Sequence, residues 1–261
     1  MNEQLVTLVA KEVNLKPKTI EQVIRLLNEG NTVPFIARYR KEATGGLDEV
    51  EIKKIQDTWN YASQLAERKE EVIRLIDEQG KLTEELRKEI EQATKLQRVE
   101  DLYRPYRQKR RTRATIAKEK GLEPLAELVF KQELEDVKVE AEKYFSEEHE
   151  LHDVETVLAG VNDIIAEWIS DEAEYRDFIR KVTWNHGTLH TELKADANDE
   201  KEVYKMYYDF SEAIRSLVSH RTLAINRGEK EEVLRVTIEP PIERIMTYLE
   251  DKVIQEKYAI N

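Results

Sequence analysis

An all-α, multi-helical fold is predicted by three features of this 261-residue sequence. Charged residues make up 37% of it, with only eight glycines and six prolines, a balance that favours helices joined by few tight turns. Apolar positions recur at three- and four-residue spacings along most of the chain. Strand-like stretches are confined to residues 183–238, a minor β element. Within that class the pattern predicts a long antiparallel helix hairpin and a helix-turn-helix-like part, divided between residues 1–132 and an acidic region, 133–261.

Residues 1–29 read as two short helices. Leu5, Leu8, Val9 and Val13 keep helical spacing, Lys16-Pro17 interrupts, and Ile20, Val23, Ile24 and Leu27 then share one face. Gly30-Asn31 suits a helix end, and Pro34 presets φ for a first helical turn. In the helix that follows, Phe35, Ile36 and Tyr39 form the packing face, with Arg38, Lys41 and Glu42 opposite. Gly45-Gly46 breaks the chain, and Asp48 with Glu51 has the spacing of a capping box. Over residues 48–79, Ile52, Ile55, Trp59, Ala62, Ala66, Ile73 and Ile76 make a seam of period near 3.5, with Lys69 where the pattern skips. That helix is roughly 48 Å long at ~1.5 Å per residue. Gly80 ends it, and residues 83–96 are its expected antiparallel partner, closed by 98–106. A dimeric coiled coil fits the same heptads, but the short seam and the glycine turn favour packing within one chain.

Residues 115–120, Gly121-Leu122 and a proline-started helix to Gln132 form the helix-turn-helix-like part. Its second helix shows Leu125, Ala126, Leu128, Val129 and Phe130, few of them able to read bases, so helix packing is favoured over DNA reading. Residues 133–177 carry sixteen acids against three bases. Val154, Val157, Val161, Ile164 and Trp168 nevertheless keep helical spacing, so the stretch is folded. Residues 183–194 and 233–238 are the strand candidates, too few for a sheet core. Pro240-Pro241 ends the second, and 242–260 reads as a last amphipathic helix.

The exclusions are broad. No apolar run approaches the ~20 residues of a membrane span, and no signal peptide opens the chain, so a soluble, cytoplasmic protein without a membrane partner is expected. With no cysteine, disulfides, thiolate metal sites and cysteine nucleophiles are excluded. His149 and His152 read as a solvated face, and His186 and His190 straddle Gly187. No GxSxG, HExxH or P-loop pattern occurs. No catalysis, metal, cofactor or small-molecule substrate is expected.

Two clusters are candidate sites. Arg104, Arg107, Lys109, Arg110, Arg111 and Arg113, beside Tyr103 and Tyr106, suit a phosphate backbone. Equally, they form a connector that docks on the acidic helices of 133–177, a reading favoured by the net charge of −12. Arg38, Tyr39, Arg40 and Lys41 either hold a phosphate or, the favoured reading, clamp carboxylates such as Glu49 and Glu51.

VPFIARYRKEATGGLDE (residues 33–49), RVEDLYRPYRQKRRTRATIAKEKGLEPLA (98–126) and SHRTLAINRGE (219–229) resemble segments of the Tex family of bacterial transcription accessory proteins, in the family's order. The resemblance implies the N-terminal helical region of a longer plan that continues with an RNase H-like domain, helix-hairpin-helix elements and a C-terminal OB-fold RNA-binding domain, so the end at Asn261 reads as a truncation. It implies nucleic acid, RNA or DNA, as partner mainly through domains missing here, with RNA polymerase or ribosome components as protein partners. The expected function is a non-catalytic helical scaffold module of a Tex-like transcription accessory protein. The alternative is an acidic protein-interaction module that docks on the transcription or translation machinery.

Overall fold

The computed structural model describes residues 1–255, and the contacts divide the chain into two units, Met1–Tyr106 and Arg107–Asn261. In the first, α1 (Glu3–Val13) starts where the Asn2 side chain accepts from the Gln4 and Leu5 N–H groups and ends at Asn14, which is left-handed. Pro17 opens α2 (Pro17–Asn28). Thr32 caps α3 (Val33–Tyr39), followed by α4 (Lys41–Thr44). Gly45 and Gly46 turn the chain at φ 76° and 87°, values that cost an L side chain about 1 kcal/mol or more. Next, α5 (Glu49–Glu78) begins with the expected capping box: Asp48 Oδ1 accepts from Glu51 N at 2.8 Å, and Glu51 Oε2 from Asp48 N at 3.0 Å. Val9, Ile20, Val23, Ile24, Ile36, Ile52 and Ile55 form one core, so the first four helices fold onto the start of α5.

The partner of α5 is α6 (Glu84–Gln92) followed by the closing helix α7 (Leu96–Tyr103), with the break at residues 93–95 where the expected pieces, 83–96 and 98–106, put it after 96. Polar groups of α5 meet the backbone around the break. The Lys69 ammonium donates to the Glu91 carbonyl at 2.7 Å, and Tyr61 Oη accepts from Leu96 N–H at 3.0 Å. Such end groups lack partners within their own helix, so side chains on α5 make the corner possible. The seam changes with it. Leu65 and Val72 are buried where Ala66 and Ile73 are expected, and those two are half-buried. Lys69 is half-buried, and burial lowers its pKa. Farther along, Arg68 grips Glu100 of α7 with two bonds, 2.6 and 3.1 Å, and its guanidinium lies 5.3 Å from the Tyr103 ring centroid. The Glu100 bond is the main reason the Arg68 pKa is raised.

In the second unit, α8 (Arg113–Glu119) is capped by Thr112 and Thr115 and α9 (Glu123–Lys131) starts beside Pro124; α10 (Val137–Glu142) follows, and Asp153 caps α11 (Val154–Asp171). The contacts group α8 and α9 with the acidic helix, because Ala117, Leu122 and Leu125 complete a core with Val157, Val161 and Ile164. Gly160 permits this approach, since a Cβ there would lie 2.4 Å from Leu122 Cδ1. Both helices of the helix-turn-helix-like pair thus pack into this core, α8 through Ala114 and Ala117 and α9 through Leu125 and Ala126.

Beyond α12 (Ala173–His186) come β1 (Thr188–Leu193), β2 (Asp209–Ala213), α13 (Ser219–Lys230), β3 (Leu234–Glu239) and α14 (Ile242–Val253). The protein is mostly α-helical with a minor β element, but that element has three antiparallel strands in the order β2-β1-β3 rather than two. Thr191 is the central register point, opposite Phe210 on one side and Val236 on the other. Residues 183–186, expected as strand, finish α12. The extra strand, β2, has a single large apolar side chain, Phe210, and no alternation to read. Tyr204, Tyr207, Ile225, Val233 and Leu234 give the sheet and α13 their own core, and a Cβ on Gly228 would meet Leu234 Cδ1 at 2.6 Å. The predicted last helix is present as α14 but ends at Val253, with Ile254 extended; residues 256–260 of the expected range lie outside the described residues. Among the described residues no helix is long and apolar enough to cross a membrane.

Candidate nucleic-acid interface

The basic strip lies in the irregular segment before α8. Arg104 belongs to the first unit, where it is half-buried and engaged. In the second unit Lys109 is the most anchored cation: its ammonium pairs with Asp171 and sits 3.5 Å from Glu167 Oε1, and the Lys109 and Asp171 side chains are only 21% and 10% exposed. Thr112 Oγ1 donates to Glu167 at 3.0 Å, and Lys118 lies 3.9 Å from the same carboxylate. Arg111 pairs with Glu119 at 2.8 Å, while Arg113 reaches toward Asp163 at 3.7 Å with its side chain 87% exposed.

The receiving acids are Asp163, Glu167 and Asp171. Four-residue steps put them along one side of α11, which forms an acidic rail under the strip. Sequence reading located the acidic region but not these residues; their spacing was the available signal. Arg107 and Arg110 are exposed and carry no ion pair among the described residues. The aromatic companions are engaged in the first unit. The Arg68 guanidinium covers Tyr103, and the Tyr106 carbonyl accepts from Gln79 at 2.7 Å.

The second cluster is arranged differently. Arg38, Tyr39, Arg40 and Lys41 are all exposed. Ile36 alone of the expected packing face is fully buried; Phe35 and Tyr39 are 37% and 57% exposed. Their ring centroids are 5.1 Å apart, and the Arg40 guanidinium lies 5.7 Å from the Phe35 centroid. The expected clamp to Glu49 and Glu51 does not form: Glu51 is committed to capping α5, and none of the three cations has an ion pair among the described residues. The reason is rotational. Burying Ile36 and half-burying Val33 and Ala37 points Phe35 and Tyr39 outward.

Another polar cluster organises the sheet end of the second unit. Asp199 accepts from Val203 N, Tyr204 N and Tyr208 Oη at 2.8–2.9 Å. Burial opposes ionisation, yet these bonds hold its carboxyl below the usual carboxylate range. The same bond from Tyr208 pushes that phenol up to about 12. Tyr204 Oη in turn donates to Glu231 at 2.7 Å. This hub braces the loop between β1 and β2. Among the described residues no group of three or more His, Asp or Glu is placed to hold a metal ion.

Comparison with known proteins covers both units. Residues 3–77 match the family described as Tex-like protein N-terminal domain, and residues 132–261 match Tex central region-like. The chain is 53% identical over 251 residues to the Bacillus subtilis protein YdcI, covering 95% of this chain and 35% of that one. It is 40% identical over 231 residues to the Neisseria gonorrhoeae transcriptional accessory protein Tex, covering 88% of this chain and 30% of the relative. With the human S1 RNA-binding domain-containing protein 1 it shares 30% identity over 246 residues, 91% of this chain and 24% of the relative. The chain thus spans about a third or less of the length of these relatives.

Proposed function

This chain belongs to the Tex family, and on that premise we propose that it is a non-catalytic helical scaffold module which supports nucleic-acid binding by a longer transcription accessory protein. Arg107 and Arg110 lend auxiliary phosphate contacts. The observation that carries this reading is the anchoring of Lys109 and Thr112 on Asp171 and Glu167. It fixes the strip to α11 and leaves Arg107 and Arg110 facing solvent. Two relatives have names that speak of transcription and of an RNA-binding domain, which supports the same direction. The proposed setting is the cytoplasm, with nucleic acid as main partner and RNA polymerase or ribosome components as protein partners. An acidic docking module is the weaker reading, because Asp163, Glu167 and Asp171 already face this chain's own cations.

Duplex DNA and single-stranded RNA binding, followed by fluorescence polarisation at low and moderate salt, tests the proposal. Each cation that reaches a duplex phosphate contributes roughly −0.9 to the slope of log K against log salt. Arg107→Ala with Arg110→Ala is therefore expected to flatten the duplex slope by roughly 2. An unchanged slope, or no duplex binding at low salt, removes the auxiliary-contact role.

A further inference from the structure

We infer that the exposed face of α3 and α4 is a separate contact site for single-stranded nucleic acid, in which Phe35 and Tyr39 stack on bases while Arg38, Arg40 and Lys41 follow the phosphates. The site does not depend on the basic strip. Its first support is the orientation of the rings. In a seven-residue helix that buries Ile36 completely, two adjacent aromatic side chains are left toward water. Their centroids are 5.1 Å apart, and they form one continuous ledge with the Arg40 guanidinium 5.7 Å from the Phe35 centroid. Exposed aromatic surface of this kind is a platform for bases, because every base has a π-face.

The second support is electrostatic. Three cations within four residues carry no ion pair among the described residues, in a chain whose net charge is −12. Some cations elsewhere are neutralised, Lys109 on Asp171, Arg111 on Glu119 and Arg68 on Glu100. Glu42 is the acid within the ledge's own short helix, and it too is solvent-facing. Charge and ring faces together select the ligand. An acidic peptide would satisfy the cations and leave the rings unmatched, and duplex DNA keeps its bases stacked away from them. A single strand offers both phosphates and free base faces.

The test measures binding of the whole chain to an oligouridylate and an oligothymidylate of equal length, at several salt concentrations. Tyr39→Ala is expected to weaken binding about tenfold and Tyr39→Phe to preserve it, since stacking needs the ring and not the hydroxyl. Arg38→Ala with Arg40→Ala and Lys41→Ala should flatten the salt slope by roughly 2, three contacts at about −0.7 each for a single strand. Arg107→Ala with Arg110→Ala should leave single-strand stacking intact, which separates failure of the ledge from failure of the strip. Stronger binding of one oligonucleotide would still support the site, with the 2′-hydroxyl and the thymine methyl together setting the preference. Absence of single-strand binding at low salt overturns the inference. So does wild-type affinity in both ledge variants, or ledge-dependent binding of polyglutamate in place of either oligonucleotide. Circular-dichroism melting of each variant verifies that the chain stays folded.

Discussion

The strip before α8 and the ledge on α3 and α4 have similar compositions, yet the strip ties part of its charge down while the ledge pairs none of its three cations with an acid among the described residues. In the strip, Lys109 is sunk against Asp171 and Glu167, and Arg111 is matched by Glu119. In the ledge, Arg38, Arg40 and Lys41 are left to solvent beside two exposed rings. A run of basic residues therefore does not by itself define a contact surface. What decides is whether the fold delivers carboxylates to it. Helix α11 does so for the strip through four-residue spacing, whereas Glu51, one of the two acids expected to clamp the ledge, is consumed in capping α5.

Stability measurements can break this contrast. The largest effect is expected from Lys109→Met, which leaves Asp171 short of its ammonium partner. Removing one side of a mostly buried, charge-assisted pair should cost about 2 kcal/mol, read as a lower urea midpoint. A midpoint equal to wild type would mean that the strip is not anchored.

A smaller effect, which is also pH-dependent, belongs to Asp199. Its folded pKa is depressed, so its contribution is fully present above the usual carboxylate value of about 4. That contribution disappears as pH falls through the lower folded value. Asp199→Asn should reduce the loss of thermal stability on acidification without abolishing it, because Asp153, Glu231 and Glu232 are lowered too. Identical melting-temperature profiles against pH would remove Asp199 as a bracing group.

The smallest effect is expected for the ledge. Replacing Arg38, Arg40 and Lys41 together by Ala should change stability by no more than about 0.5 kcal/mol, as for exposed groups without ion pairs. A loss near that of Lys109→Met would show that they clamp the fold after all.

Local rules were legible in the sequence. The Asp48–Glu51 cap, the proline-started α3 and α9 and the apolar faces of α2 and α11 all form where short-range spacing places them. What was not legible depends on distant partners. Lys109 finds Asp171 across 62 residues, and Tyr61 meets the Leu96 N–H across 35. Neither pairing follows from helical periodicity. The ledge failed for a subtler reason: Phe35, Ile36 and Tyr39 fit one helical stripe, and only the choice of Ile36 as the buried member turns the aromatic pair outward. Strand β2 was missed because its sequence, DFSEA, becomes a strand only when β1 supplies the ladder.

The small sheet has one more consequence, for association between molecules. With β1 in the middle, β2 and β3 each present an outer edge whose backbone groups offer a template for another chain's strand. Both edges carry charge. Arg235 of β3 lies across from Glu192 at 3.0 Å, and Glu212 of β2 is held by Arg221 at 2.6 Å. Glu239 ends β3, and Pro240-Pro241 follows directly, where a further strand would require N–H donors that proline lacks. These features guard the sheet against edge-to-edge aggregation at the place where three strands alone would invite it.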